Sequence, residues 1–198
     1  MSNKTLDYYN QNAKAFAEGT TFVDFKETQD KFINSLQGRR VLDFGCGAGR
    51  DLKYFVEAGL EIEAIDGSAE LCQIAESYAG IPVRQMLFQE LNDQNRYDGI
   101  WACSSILHLT KEELKSVFIK MLDALTDNGI IYTSFKYGTF EGERNGRYFT
   151  DFTYESFCEF VRDMKGVLIE EYWCTGDVRP GREDEKWLNL LLRKTSLS

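Results

Sequence analysis

Three glycines in five residues, Gly45, Gly47 and Gly49, follow a short apolar run in the stretch VLDFGCGAGRD, with Asp43 before them and Arg50 and Asp51 after. Glycine permits positive φ and lets a ligand lie against the backbone, and a helix opening there presents N–H groups at its positive end. The dinucleotide fingerprint G-x-G-x-x-G is the first match to try, and it fails at its third glycine, where Arg50 stands. Asp43 repels a pyrophosphate but attracts an ammonium, so the ligand at this turn is expected to carry a cation. His108 is the only histidine. It follows a strand pattern by a few residues, placed either to act as a base with an ordinary pKa of about 6.5 or to pack beside the helix that Thr110 opens.

These groups need elements to hold them. Leu6, Tyr9, Ala13 and Phe16 recur at helical spacing, as do Phe25, Phe32, Ile33 and Leu36, so two helices precede the first strand, RRVLDF. Leu52, Phe55 and Ala58 mark the next helix, closed by Gly59. LEIEAID reads as a strand ending at Asp66, Ser68 as an N-cap, VRQML and YDGIWACSS as strands three and four, and Thr110 with Glu113 as a capping box. The helix it opens ends near residues 127–129, and IIYTSFK is strand five. Strand and helix alternating at this pitch predict a parallel α/β sheet covered on both faces, with its ligand beyond the carboxyl ends of the strands. After a helix near residues 154–163 the rhythm changes. VLIEEYWCT and WLNLLLR, separated by a polar loop, suggest an antiparallel hairpin at the sheet edge.

The chain of 198 residues is 43 % hydrophobic and 14 % aromatic, with two prolines, which fits one globular domain. It has no apolar run long enough for a membrane span or a signal peptide, so a cytoplasmic protein without membrane partners is expected. A net charge of −9 with scattered basic residues disfavours nucleic acid as a partner. The five cysteines form no C-x-x-C pair, which argues against both a disulfide framework and a metal site.

Asp66 lies at the end of strand two, where a carboxylate accepts both hydroxyls of a ribose. A ribose combined with a cation describes S-adenosylmethionine (SAM), whose carboxylate can use the helix N-terminus or Arg50. The segments VLDFGCGAGRD, EAIDGS, YDGIWACSSILHL and NGIIYTSFK, with DYYNQNAKAFAEGT ahead of them, resemble the class I SAM-dependent methyltransferases, and within them the small bacterial tellurite-resistance-like group. The resemblance covers most of residues 7–194. It implies a Rossmann-like three-layer sandwich, a seven-stranded mostly parallel sheet with a reversed last strand, and an N-terminal helical cap. It also implies roles for Asp43, Gly45 and Gly47 at the methionine part, Asp66 at the ribose and Cys103 near the sulfonium, with S-adenosylhomocysteine (SAH) as product. Cys46, Gly49, Arg50 and Gly67 complete the expected cofactor set, and Tyr9 is placed to close over it. Many members carry an acidic residue after strand three for the adenine. This chain has MLFQE there, which leaves Leu87 and Phe88 as the expected adenine contacts.

The single domain then divides into a cap (residues 1–38), a cofactor-binding core (39–136), an acceptor lid (137–152) and a C-terminal helix with its hairpin (153–198). In the lid, KYGTFEGERNGRYFTDF, glycines permit movement, Arg144 and Arg147 suit a bidentate grip on an anionic acceptor, and Tyr148 with Phe149 forms a wall. The alternative is an exposed loop with solvated charges. DVRPGREDE is a second rim candidate, though its mixed charge fits plain solvation. Methyl transfer to a small molecule by in-line displacement is the expected function. Methylation of tRNA or protein, or a SAM-binding module without turnover, remains open, and a nicotinamide oxidoreductase is weakened by Arg50 and Asp43.

Overall fold

A computed structural model of the chain describes residues 3–179, 181, 182 and 184–195. Two helices, α1 (Asn3–Thr20) and α2 (Lys26–Ser35), lead into β1 (Arg40–Phe44), α3 (Arg50–Glu57), β2 (Glu61–Asp66), α4 (Ala69–Ala79), β3 (Arg84–Gln85) and β4 (Tyr97–Ala102). Then come α5 (Lys111–Ala124), β5 (Leu125–Lys136), a small hairpin of β6 (Glu141–Arg144) and β7 (Arg147–Thr150), α6 (Tyr154–Val161), β8 (Val167–Gly176) and β9 (Lys186–Lys194). The main sheet has the order β3-β2-β1-β4-β5-β9-β8. β1 to β5 run parallel, and β9 is antiparallel to both its neighbours. The chain moves outward from β1 to β3 and then returns to place β4 on the other side of β1. That reversal opens a crevice beyond the strand ends.

Both faces of the central strands are buried, so their residues alternate between two apolar layers rather than between core and water. Val41, Trp101, Ile130, Tyr132 and Leu191 face one layer with Phe32 of α2 and Phe55 of α3. Leu42, Ile100, Ala102, Ile131 and Leu190 face the other, against Leu114, Phe118 and Met121 of α5 and Phe157 and Phe160 of α6. Trp101 is the keystone of the first layer. It stacks on Tyr132 at 4.0 Å and meets the edges of Phe32 and Phe55 at 5.1 Å each. The two expected caps form as read. Ser68 Oγ accepts the Leu71 N–H, and Thr110 and Glu113 exchange reciprocal bonds at the start of α5.

Four expectations shift in detail. α5 ends at Ala124 rather than near residues 127–129, and β5 opens directly after it at Leu125. Strand three shortens to two residues, because the chain leaves the sheet at Met86 and turns through a 3-10 segment, Phe88–Glu90. α2 does not sit over the site but joins the helical layer beside α3, leaving α1 as the element that covers the glycine turn through Tyr9, Ala13, Ala48 and Leu71. Residues 137–152 are not a loose loop. β6 and β7 pair in register across an Asn145-Gly146 turn with φ of 53° and 76°, the combination a two-residue hairpin turn with right-handed strand twist requires. No helix among the described residues is long and apolar enough to cross a membrane.

Gly99 marks where α2 comes closest to the sheet. A methyl group there would stand 2.8 Å from Phe32 Cζ and closer still to Leu36. Overpacking of a close-packed layer costs about 1–3 kcal/mol. Gly99→Ala is therefore expected to lower the urea midpoint by a corresponding amount with the m-value unchanged; an unaltered midpoint would show that α2 yields at no cost.

Candidate active site

The crevice between the ends of β1 and β4 holds a cavity of about 170 Å³. Its floor is the glycine turn. Gly45 (φ 91°) lies so close to the segment after β4 that a Cβ on it would meet Ser105 Cβ at 2.5 Å and the Phe88 ring at 3.0 Å. Gly49 (φ 90°) packs against Ala75 of α4, with a Cβ contact of 3.0 Å to its Cα. The close helix packing that a dinucleotide fold assigns to its third glycine is thus done here one residue earlier, by Gly49, which frees Arg50 to be a side chain. Phe16 of α1 lies over Gly47, 3.2 Å from where a Cβ would be.

The acids around this turn have separate fates. Asp66 lines the cavity, its carboxylate fixed by N–H groups of Gly47 and Ser68, each at 2.9 Å. Burial raises its pKa, and the donated N–H groups of Ser68, Gly47 and Gly67 work against that rise. Asp43 is buried beneath the turn with Oδ2 lacking any hydrogen-bond partner. Burial first, then the negative charges of Asp51 and Asp66, hold its pKa well above the ordinary range. Asp51 accepts from Arg50 Nε (2.7 Å) and Nη2 (2.9 Å), Gln29 Nε2 (2.7 Å) and Trp101 Nε1 (2.9 Å). Burial opposes its ionisation, but the Arg50 charge and these hydrogen bonds prevail and its pKa is lowered. Arg50 is neither solvated nor free. It lines the cavity as half of this ion pair, 4.5 Å above the Phe25 ring.

The opposite wall is a hydrogen-bond chain with a fixed direction. His108 Nδ1 lies 2.6 Å from the Tyr148 carbonyl, which only accepts, so Nδ1 carries the proton. Nε2 then accepts from the Tyr9 hydroxyl at 2.8 Å, and the Tyr9 oxygen accepts from Arg147 Nη1 at 3.4 Å. Burial, and secondarily the Arg147 and Arg144 charges, lower the His108 pKa to about 4, against the bond to Tyr148. Burial likewise raises the Tyr9 hydroxyl, opposed by Arg147. Thr5 Oγ1 accepts the Tyr148 N–H at 3.1 Å and Thr150 Oγ1 donates to the Leu109 carbonyl at 2.7 Å, so the β6–β7 hairpin is pinned to both α1 and the segment after β4.

Of the expected site residues, Tyr9, Gly45, Cys46, Gly47, Arg50, Asp66, Phe88, Cys103, His108 and Arg147 line the cavity together. Gly49, Gly67 and Leu87 support it from behind: Gly67 faces Leu6, and the Leu87 N–H is held by Glu90. Arg144 and Tyr148 point elsewhere. Arg144 makes a two-pronged ion pair with Asp151 (2.9 and 3.1 Å), and the Tyr148 hydroxyl donates to Glu141 at 3.2 Å, leaving only its backbone carbonyl at the site. The two-arginine grip read from the sequence is therefore a single arginine, because Asp151 neutralises the other. Cys103 is a thiol, its pKa pushed up to about 12 by burial and the Asp51 charge.

Sequence reading missed Ser104, Ser134 and much of the C-terminal wall. Ser104 takes a left-handed φ of 51°, rare for a residue with a Cβ, and Ser134 Oγ accepts its N–H at 2.9 Å. Asn189, the one polar interruption in WLNLLLR, accepts the Tyr132 hydroxyl at 2.7 Å and donates to Thr175 at 3.1 Å. The rim candidate DVRPGREDE does contribute: Asp177, Val178, Arg179 and Arg182 line the cavity, while Pro180 and Glu183 lie outside the described residues. Asp177 is half-buried, and although desolvation opposes its charge, bonds from the Arg179 side chain and N–H and from Trp187 Nε1 bring its pKa down to about 2.

Known proteins resemble this arrangement. A family profile described as a methyltransferase domain matches residues 41–129. A ubiquinone biosynthesis O-methyltransferase of Rhodopseudomonas palustris is 33 % identical over 89 residues, which cover 42 % of this chain and 35 % of that protein. The match thus spans about a third of that relative's length. Among solved structures, the 1,6-didemethyltoxoflavin-N1-methyltransferase of Burkholderia thailandensis, with 1,6-didemethyltoxoflavin and SAH bound, superposes with a TM-score of 0.76 at 19 % identity, over 96 % of this chain and 85 % of that one. The magnesium protoporphyrin IX methyltransferase of Synechocystis PCC 6803 with bound SAM reaches 0.71 at 18 % identity over 98 % of each chain. Family match, sheet order and the crevice at the β1–β4 reversal agree: residues 41–129 match a methyltransferase domain, and the chain has the fold of these methyltransferases.

Proposed function

We propose that the chain transfers the methyl group of SAM to a small-molecule acceptor by in-line displacement, with residues 39–136 holding the cofactor and the α1, β6–β7 and C-terminal segments holding the acceptor. The observation that carries this reading is Asp66, a carboxylate at the end of β2 held open to the cavity by two backbone N–H groups beside a turn that tolerates no Cβ at Gly45. The orphaned Oδ2 of buried Asp43 adds to it, because a carboxyl kept from ionising by burial gains most from an arriving cation. Asp66 fits a ribose, the glycine turn and Asp43 fit the methionine part, and the Phe88 ring under Gly45 fits the adenine side. When bound, SAM supplies an electrophilic methyl group. The chain contributes alignment and exclusion of water, which can account for several kcal/mol of barrier without a base. His108 agrees with that division, since its one lone pair is committed to Tyr9. A macromolecular acceptor is disfavoured by the net charge of −9.

Asp66→Asn keeps the size and one acceptor oxygen but removes the charge. A hydrogen bond to a charged group is worth about 1.5–3 kcal/mol, so SAH affinity measured by calorimetry is expected to fall roughly tenfold to a hundredfold in a protein that still unfolds cooperatively. Undiminished affinity would remove Asp66 from the cofactor site. SAH release from SAM in the presence of small-molecule acceptors then tests turnover.

His108 gives a second test through stability. Its folded pKa of about 4 lies below the ordinary 6.5, so the stabilisation from keeping it neutral is complete above about pH 6.5 and is lost as pH falls toward 4. Between about pH 7.5 and about pH 5 the loss is about 2 kcal/mol. Asp43 and Asp66, whose raised pKa values favour the folded state at low pH, slope the other way. The signature is therefore the difference between the wild type and His108→Gln in urea midpoints across this range. Parallel curves for the two proteins would mean that His108 titrates normally.

A further inference from the structure

The cavity is lined by several cations, and all but one of those described have a carboxylate partner. Arg50 pairs with Asp51, Lys136 with Glu185, Arg179 with Asp177 and Arg182 with Glu185. Among the described residues no carboxylate stands within ion-pair distance of Arg147. Its buried Nε lacks any hydrogen-bond partner, and its single polar contact is the long one from Nη1 to the Tyr9 hydroxyl. The guanidinium is nonetheless held in place. It lies over the Tyr8 ring at 4.4 Å and the Phe149 ring at 5.1 Å, contacts that hold it at the cavity wall. A partly buried guanidinium with unmet donors is unfavourable in the empty protein and is relieved by an anion, best by a carboxylate that takes two parallel N–H bonds.

The neighbouring groups narrow the class further. The Tyr9 proton points to His108 Nε2 and the His108 proton to the Tyr148 carbonyl. The wall beside Arg147 therefore has no uncommitted base to take a proton from an acceptor. Phe16, Phe25, Phe149 and Trp187 line the same cavity with flat apolar faces. We infer that the acceptor is a small planar carboxylic acid bound as its anion, with the carboxylate in the fork of Arg147 and the ring between these aromatic side chains. The inference rests on the methyl-transfer reading above for the identity of the second ligand, and it assigns to Arg147 a part in acceptor specificity rather than in holding the cofactor.

The test uses the full chain saturated with SAH and three matched pairs of probes: benzoate and benzamide, 4-hydroxybenzoate and 4-hydroxybenzamide, indole-3-acetate and indole-3-acetamide. Binding is followed by thermal shift and calorimetry on wild type, Arg147→Gln and Arg147→Lys, and each titration is repeated without SAH. Expected is a preference for the acid of at least tenfold in the wild type, its disappearance in Arg147→Gln and partial recovery in Arg147→Lys, with SAH affinity unchanged within twofold in both variants. Equal binding of acids and amides by the wild type, or a preference that survives Arg147→Gln, overturns the inference. So does a tenfold loss of SAH affinity in Arg147→Gln, which would give the guanidinium to the cofactor's own carboxylate. A wild type that fails to bind SAH sinks the methyl-transfer reading instead, and the titrations without SAH then decide the anion preference separately. Should Arg147→Gln fail to fold, Arg147→Lys carries the comparison.

Discussion

The turn between β1 and α3 is the constraint on which the rest of the site depends. In five residues the chain must leave the sheet, reverse and enter a helix, and it does so through left-handed φ at Gly45, Gly47 and Gly49. The same residues meet three other parts of the protein: Ser105 and Phe88 at Gly45, Phe16 of α1 at Gly47 and Ala75 of α4 at Gly49. A side chain at Gly45 would be strained by its φ and would also displace the segment that carries Cys103 and His108. The turn therefore sets the distance between its own side of the cleft and the wall opposite, and it does so by backbone geometry rather than by any interaction strength.

Charge is arranged around that turn so that little of it is left over. Asp51 is ionised because Arg50, Gln29 and Trp101 all donate to it, and Asp177 because Arg179 and Trp187 do. Asp43 is in the reverse position, with desolvation and two neighbouring carboxylates acting against its charge. Partners, not depth, separate Asp43 from Asp51, since both are buried.

Much of the geometry on the glycine-turn side was legible in the sequence because it is local. The glycines, Asp43, Asp66 and the Ser68 cap lie within twenty-six residues, and their positions follow from strand and helix periods. The other wall joins residues far apart in the chain. Tyr9 and His108 are 99 positions apart and Arg147 and Tyr9 are 138, so no spacing rule connects them. Arg144 and Arg147 look alike in sequence, and only the pairing of β6 with β7 brings Asp151 to the first and aromatic rings to the second. The hairpin itself had a signal, the Asn145-Gly146 pair, which glycine content read as mobility concealed. In the C-terminal strand the signal was a single polar residue in an apolar run, Asn189, whose buried side chain ties Tyr132 to Thr175.

The two halves also differ in what holds them, and this bears on how the chain acquires specificity. The glycine-turn side is an extension of the sheet, following β1 and β2, which each pair on both sides. The wall opposite is clipped on by a few side-chain bonds: Thr5 to Tyr148, Thr150 to Leu109, His108 to Tyr148 and Tyr9 to His108. The first joins α1 to the hairpin, and the other three join the hairpin or α1 to the segment following β4. Residues of the hairpin can therefore change without disturbing the β1–α3 turn, whereas the turn cannot change without moving the wall. A fold shared among proteins of under 20 % identity can keep its sheet and exchange the rest on these terms, because the chemistry of a site is carried by the groups fixed to it and not by the sheet beneath.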